Sequence, residues 1–169
     1  MEKQIKQHME QYEKQHAKQS RVEEAVGLFT SGFNCCQSVF AAYADLFGME
    51  KEEALKLTSP MGAGIGRMRE VCGTVSAMAL LSGLADGNID PEDETKKTAV
   101  YERVREMSDE FADANGSIIC RELLGILGRE KSAAPSERTE EYYKVRPCVK
   151  FVRCAAEIVE KALLDNSKV

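Results

Sequence analysis

The sequence predicts an all-α fold, specifically a single-domain helical bundle. Apolar residues recur at intervals of three and four along most of the chain, as they do on one face of an amphipathic helix. No segment shows the alternation of polar and apolar residues that is typical of a half-buried strand. The chain has 169 residues, of which 43% are hydrophobic, and this is enough for one domain with a substantial core.

Residues 1–19 are predicted to form an N-terminal helical arm, separate from a four-cysteine helical domain at residues 20–169. The arm is rich in charged residues, and its apolar stripe consists of Ile5, Met9, Tyr12 and His16. This stripe is too narrow to enter a core but wide enough to pack on another chain, so we expect a homodimer contact through the arm. His8 and His16 are expected to be solvated.

Capping residues and glycines predict where the first helices of the domain begin and end. Ser20 and Glu23 form a capping-box pattern ahead of a helix that stops at Gly32. Asn34 is predicted to cap the next helix, which ends at Gly48. The short helix KEEALKL follows and ends before a proline.

The second half of the domain begins with a segment, residues 72–85, that is apolar on almost every side. Such a segment is typical of a central helix that is enclosed by others. Three later helices are predicted to begin at Asp90 with Pro91, at Ser117 and at Pro147. The first of these is predicted to end at Gly116, and residues 129–146 form a charged connector with room for one helical turn.

Charge and hydropathy exclude several classes of partner. The formal net charge is −5, and the lysines and arginines are scattered among acidic residues, so no nucleic-acid-binding face is expected. The polar first segment lacks the apolar centre of a signal peptide, and no stretch reaches the roughly 18 apolar residues of a membrane span. We therefore expect a cytoplasmic protein with no membrane insertion.

The six cysteines are the strongest indication of function. Structural disulfides are rare in a reducing cytoplasm, so this number favours metal ligation or redox chemistry, with buried packing as the alternative for any one cysteine. Four lie in the first turn of a predicted helix: Cys35, Cys72, Cys120 and Cys148. Unpaired N–H groups and the helix dipole lower a thiol pKa there, which favours the thiolate.

The order of the elements can bring these four helix starts together, because a returning segment of sufficient length lies between each pair of them. We therefore expect a bundle whose helix N-termini converge on a cysteine cluster. Arg69, Arg121 and Arg146 lie close in sequence to three of these cysteines and add positive charge. Cys36 and Cys154 face other directions on their helices and are interpreted as packing residues.

The stretch GAGIG places Gly62, Gly64 and Gly66 shortly before Cys72. A glycine-rich turn that leads into a helix can bind an anion through its backbone N–H groups, and a thiolate is such an anion. No strand precedes this turn and no Lys-Ser/Thr pair follows it, so neither a dinucleotide-binding fingerprint nor a P-loop is indicated. We expect a tight turn that lies beside the cysteines and contributes to cofactor binding.

These residues resemble the C_GCAxxG_C_C family of redox-active proteins, small helical proteins named for four cysteines and a glycine-containing motif. The corresponding cysteines, in order, are Cys35, Cys72, Cys120 and Cys148. Asn34 before the first, Gly73 after the second and the pair Leu123-Leu124 after the third complete the pattern. The resemblance extends from about residue 22 to about residue 163 and leaves the N-terminal arm outside it.

Two positions depart from the motif, since Thr74 and Ala77 stand where the family has alanine and glycine. Both residues are small, so close helix packing is retained. The resemblance implies a redox-active or metal-bound four-cysteine site, and a similar domain occurs in a cytochrome that also carries an iron–sulfur centre. No haem is expected in this chain, because it lacks a CxxCH sequence.

The leading hypothesis is that Cys35, Cys72, Cys120 and Cys148 bind an iron–sulfur cluster for electron transfer or redox sensing, with an unidentified redox partner. A zinc site is an alternative, although structural zinc sites usually take ligands from CxxC turns. A second class of function is a thiol–disulfide oxidoreductase, in which two of the four cysteines cycle through a disulfide. A third is an interaction module that binds no cofactor and merely buries its cysteines.

Overall fold

The computed structural model describes residues 20–165. The predicted N-terminal arm, its homodimer contact and the two histidines lie outside the described residues. Within residues 20–165 the chain folds into eight α-helices and no β-strand, which confirms the all-α prediction. None of the helices in this part of the chain is long and apolar enough to cross a membrane.

The α-helices, in chain order, are α1 (Val22–Thr30), α2 (Cys35–Tyr43), α3 (Lys51–Thr58), α4 (Gly73–Asp86), α5 (Glu94–Asn115), α6 (Cys120–Leu123), α7 (Glu140–Val145) and α8 (Cys148–Val159). Two 3₁₀ turns, Ala44–Phe47 and Ser59–Met61, follow α2 and α3, and a π-helical turn, Glu160–Leu164, follows α8.

Helices α2 and α4 form the centre of the bundle. Helix α2 packs on α1, α3, α4 and α8, and α5 closes the remaining side by packing on α4 and α8. The first six residues of α4, Gly73–Met78, are all buried, so the prediction of an enclosed central helix is confirmed. The largest fully buried side chains include Phe29, Phe40, Tyr43, Met78 and Phe111.

Helix α2 begins as the sequence predicts. The Asn34 side chain accepts hydrogen bonds from the backbone N–H groups of Cys36 and Gln37, both at 3.0 Å. The Gln37 side chain accepts the Asn34 N–H at 3.1 Å, which completes a capping box. The first residues of α2 are therefore fixed by local hydrogen bonds.

Helix α1 also begins at the expected place, but not through the expected capping box. Glu23 does not bond back to the helix start, because its carboxylate pairs with the guanidinium of Arg153 on α8. The Arg21 N–H instead donates to the carboxylate of Glu160 at 2.7 Å. A tertiary partner thus replaces the local cap.

Two later helix starts differ from the prediction. Helix α5 is capped by Asp93, which accepts the Lys96 N–H at 2.8 Å, because Asp90 is occupied in a turn that precedes the helix. The helix predicted after Ser117 is shortened to α6, because the residues before Cys120 are extended and pair with residues 70–72. The single turn predicted in the connector is present as α7.

The loop from Gly62 to Cys72 has an unusual backbone. Residues 63–67 all have positive φ values, between 53° and 74°, although only two of them are glycines. The left-handed conformation costs other L-residues roughly 1–2 kcal/mol each. Backbone hydrogen bonds within the loop offset part of this cost, among them Gly66 N–H to Pro60 O at 2.7 Å and Glu70 N–H to Gly64 O at 3.1 Å.

Replacing Gly64 by alanine is expected to reduce the free energy of unfolding by more than about 1 kcal/mol. Gly64 has φ of +74°, and an added Cβ would lie 2.6 Å from the Glu70 backbone nitrogen. The matched control is Gly27→Ala in the exposed face of α1, where an added Cβ meets nothing within 4 Å. That change is expected to stabilise by about 0.5–1 kcal/mol, and urea denaturation measures both. Equal midpoints for the two variants would contradict this account of the loop.

Candidate functional site

All four cysteines singled out by the sequence line one cavity of about 380 Å³ at the end of the bundle where α2, α4 and α8 begin. Four arginines also line it: Arg67, Arg69, Arg138 and Arg146. The apolar wall includes Phe29, Tyr142 and Phe151. The cavity therefore combines thiols, positive charge and aromatic surface.

Cys35 and Cys72 both line the cavity, at the starts of α2 and α4. Cys35 is the first residue of α2, and Cys72 immediately precedes α4. Gly73 makes the approach possible, because a Cβ at that position would lie 2.5 Å from the Sγ of Cys35. Any other residue at 73 would push the Cys35 sulfur away from the start of α4.

The two thiols have opposite acidities. A side-chain hydrogen bond from Cys72 is the largest cause that lowers the pKa of Cys35, to about 6, and backbone hydrogen bonds from Ala63, Cys36 and Gly73 assist it. The same hydrogen bond raises the pKa of Cys72 well above its ordinary value, with burial as the next cause. The Thr74 hydroxyl, 3.2 Å from the Cys72 sulfur, opposes that rise. Near neutral pH the pair is a Cys35 thiolate with a Cys72 thiol.

Backbone pairing positions Cys120. The Cys120 N–H donates to Glu70 O at 2.6 Å, and the Cys72 N–H donates to Ile118 O at 2.8 Å, so both cysteines belong to one short extended pairing. The Arg69 guanidinium lies 4.0 Å from the Cys120 sulfur. Burial raises the pKa of Cys120 in spite of this cation. Cys120 is therefore a neutral thiol at the cavity wall.

Cys148 follows Pro147, which precedes α8 as the sequence predicts. Burial is the largest cause that raises the pKa of Cys148, to about 12, and repulsion from the Cys35 thiolate adds to it. Arg146 and Arg138 act in the opposite direction. Cys148 lies close enough to Cys35 for the charge of that thiolate to raise its pKa, and the Cys148 thiol is protonated near neutral pH.

Cys36 and Cys154 do not line the cavity. Cys36 is fully buried in the core, and burial raises the pKa of its thiol. The Cys154 sulfur accepts a hydrogen bond from the Asn115 side chain at 3.3 Å, in the contact between α8 and α5. Both residues occupy packing positions.

The three glycines of the GAGIG stretch have different surroundings. Gly62 and Gly66 line the cavity, whereas Gly64 does not. Gly62 allows the Asn34 side chain to approach closely, since a Cβ would lie 2.5 Å from the Asn34 Cγ. The backbone group from this loop that helps to lower the pKa of Cys35 belongs to Ala63, which sequence reasoning did not single out.

Sequence reasoning also missed part of the positive charge. Arg69 and Arg146 line the cavity, but Arg121 does not, because its guanidinium pairs with Glu70 at 2.6 Å. Arg67 and Arg138 line the cavity and had no motif or spacing to identify them. The only available signal was their location in the glycine loop and in the charged connector.

The arrangement of the thiols bears on the metal hypotheses. Among residues 20–165, no three His, Cys, Asp or Glu side chains are grouped so that they could hold a metal ion. The four cysteines share a cavity in this arrangement, but they do not form a coordination site. Iron–sulfur or zinc binding therefore stays a prediction.

Alkylation of Cys35 by iodoacetamide is expected to follow a titration with a midpoint near pH 6, because the thiolate is the reactive form and its pKa is about 6. Reactivity should rise through that pH and level off above it, whereas buried Cys36 stays unmodified. Mass spectrometry of peptides after timed labelling measures each site. A Cys35 midpoint near the ordinary thiol value of about 8.5 would contradict the assignment.

Gly73→Ala tests the same contact without removing a thiol. The added methyl group displaces the Cys35 sulfur, so the midpoint for Cys35 alkylation is expected to move to higher pH. Gly83→Ala is the matched control in α4, because a Cβ at residue 83 meets nothing within 4 Å. An identical midpoint in both variants would show that Gly73 does not hold the pair together.

Comparison with known proteins assigns the family. A family model described as "Putative redox-active protein (C_GCAxxG_C_C)" matches residues 33–162, a range that contains the four cavity cysteines and the glycine loop. Searches among curated proteins and among solved structures gave no significant match. Since the matched range covers most of the 169 residues, the chain belongs to the C_GCAxxG_C_C family of redox-active proteins.

Proposed function

We propose that the protein carries out thiol–disulfide exchange, with Cys35 as the attacking thiolate and Cys72 as the resolving thiol. The observation that carries this proposal is the position of the Cys35 sulfur at the start of α4: a Cβ on Gly73, the residue after Cys72, would lie 2.5 Å from it, and both thiols line the cavity. A disulfide forms with little rearrangement of the chain where two cysteine sulfurs can come within bonding distance. The low pKa of Cys35 supplies the nucleophile.

The exchange balances in two steps. The Cys35 thiolate attacks one sulfur of a substrate disulfide, the substrate S–S bond breaks, and the released thiolate takes up a proton. Cys72 then loses its proton and attacks the Cys35 sulfur of the mixed disulfide, which releases the second substrate thiol. The protein dithiol is oxidised by two electrons, and the substrate disulfide is reduced by the same two.

Electrostatics favours this order of events. The thiolate of Cys35 contributes to the high pKa of Cys72 through its hydrogen bond and its charge. When Cys35 is covalently blocked, both contributions disappear, and the Thr74 hydroxyl still favours the Cys72 thiolate. Cys72 therefore becomes easier to ionise at the stage at which it must attack.

A redox partner must restore the dithiol after each cycle. Cys120 and Cys148 line the same cavity as neutral thiols, so they are available for exchange with the Cys35–Cys72 disulfide.

An iron–sulfur cluster is the second candidate function. The observation that favours it is that four cysteines, spread over more than a hundred residues, all line one cavity. Thiolate ligands from four separate segments are compatible with such clusters. Their sulfurs would have to move closer together than they are here, because no three of the described side chains are grouped for metal binding.

Equilibration with glutathione redox buffers is expected to produce one intramolecular disulfide, between Cys35 and Cys72. Peptide mass spectrometry at each buffer ratio measures the fraction that is oxidised. In Cys72→Ser the reaction should stop at a glutathione adduct on Cys35, because no resolving thiol remains. Cys154→Ser is the matched control and should behave as wild type; a predominant disulfide between other cysteines would overturn the proposal.

Purification under anaerobic conditions separates the two candidates. We expect disulfide formation between Cys35 and Cys72 to persist after treatment with a metal chelator, with no stoichiometric iron and sulfide by metal analysis and absorption spectroscopy. Stoichiometric iron that is lost on replacing any one of the four cavity cysteines by serine, but retained in Cys154→Ser, would instead favour the cluster.

A further inference from the structure

The cavity has an excess of positive charge that thiol–disulfide exchange alone does not require. Four arginines line it, and no aspartate or glutamate of the described chain does so. Arginine presents several N–H donors in a planar fork that suits carboxylate groups. The charge therefore points to a ligand with an anionic group.

Several of these donors lack a partner. Arg69 is only 3% exposed, and its Nε has no hydrogen-bond partner within residues 20–165. The Nε of Arg67 and the Nη1 of Arg138 are buried and unpartnered as well. Buried donors are normally satisfied, because an unmade hydrogen bond costs about 1–3 kcal/mol. All three side chains line the cavity, and acceptors within residues 20–165 match their positive charge only in part.

Aromatic rings hold two of the arginines without neutralising them. The Arg138 guanidinium lies over the rings of Phe29 and Tyr142, at 4.8 Å and 4.6 Å from their centroids. The Arg146 guanidinium lies 5.0 Å from the centroid of Tyr142. Cation–π contacts fix the position of a cation but leave its full charge in place. These side chains are therefore positioned before a ligand arrives.

Glu130 is the carboxylate that opposes this charge. Its Oε2 lies 3.5 Å from Arg67 and 3.7 Å from Arg69, outside the set of residues that line the cavity. Both distances are long for a charge-assisted hydrogen bond, which is usually about 2.7–2.9 Å. Glu130 thus occupies some of the Nη atoms of the pair while the buried Nε atoms stay unpartnered.

We propose that the substrate is a small disulfide that carries a carboxylate group, and this proposal rests on the exchange proposed at Cys35. The cavity arginines bind the carboxylate while a sulfur of the substrate contacts Cys35. The volume of about 380 Å³ lies at the small end of the range for small-molecule sites, about 300–1,000 Å³. The aromatic wall contacts the alkyl chain between the carboxylate and the disulfide. The arginines orient the substrate, and Cys35 and Cys72 carry out the chemistry.

The effect of substrate charge is tested with three symmetric disulfides of similar length that differ in their end groups. 3,3′-Dithiodipropionate is anionic, bis(2-hydroxyethyl) disulfide is neutral and cystamine is cationic. We expect the reduced full-length protein to react with the anionic probe at least about tenfold faster than with the neutral one, and slowest with the cationic one. Stopped-flow or quenched labelling of Cys35 measures the rates.

Binding is measured separately from chemistry in Cys35→Ser, with suberate as a probe that has the length of dithiodipropionate but no sulfur. Calorimetry is expected to detect suberate, and 1,8-octanediol should bind at least about tenfold more weakly. Arg146→Gln should weaken suberate binding about tenfold. The Arg146 side chain makes no ion pair or hydrogen bond within residues 20–165, and its described contact is with the ring of Tyr142. Arg105→Gln, an exposed change on α5, is the matched control.

Glu130→Gln is expected to change suberate affinity in the opposite direction to Arg146→Gln. It removes the carboxylate that competes for Arg67 and Arg69, so suberate should bind about three- to tenfold more tightly.

Suberate binding with no exchange of any probe would leave the anion site standing and overturn the exchange function. Equal rates for the three disulfides without suberate binding would overturn the anion site and leave the exchange function standing. A stronger response to Arg105→Gln than to Arg146→Gln would also overturn the site.

Discussion

The close contact between the first residues of α2 and α4 is the constraint on which the site depends. Both helices lie at the centre of the bundle, so their relative position is fixed by the core rather than by the cavity. Gly73 has no side chain to separate them, and the Cys35 sulfur fills the space that a Cβ would take. The acidity of Cys35, the protonation of Cys72 and the shape of the cavity wall all follow from this packing.

Local signals in the sequence identified most of the helix ends. The Asn34 cap forms as predicted, and Gly116 ends α5 in the left-handed conformation with φ of 92°. Gly48, with φ of 83°, ends the 3₁₀ turn that follows α2. These features depend on residues within one turn of each other, so a single sequence is enough to read them. The gathering of the four cysteines in one cavity also follows from such signals, because helix starts and returning segments determine which end of the bundle each cysteine occupies.

The parts that the sequence could not predict depend on contacts between distant residues. The pattern after Ser117 predicts a helix over residues 118–127, but pairing of Ile119 with Val71 keeps the first of these residues extended and leaves only α6. Ala63 and Ile65 adopt a left-handed backbone for which their residue types give no signal, since the loop is held by its own hydrogen bonds. Arg67 and Arg138 reach the cavity from segments with no periodic pattern, so their role appears only in three dimensions.

The arrangement of charge explains why four similar cysteines have different roles. Buried like charges repel, so ionising one thiol in the cavity makes it harder to ionise the others. Cys35 receives the hydrogen bonds that stabilise a thiolate, and its charge in turn contributes to the raised pKa values of Cys72, Cys120 and Cys148. The cavity thus holds one nucleophile at a time. Covalent modification of Cys35 removes one cause of the raised pKa values of its neighbours, while burial, the largest cause for Cys120 and Cys148, remains. Reaction at the first cysteine therefore prepares the second, and this coupling follows from the close packing at the starts of α2 and α4.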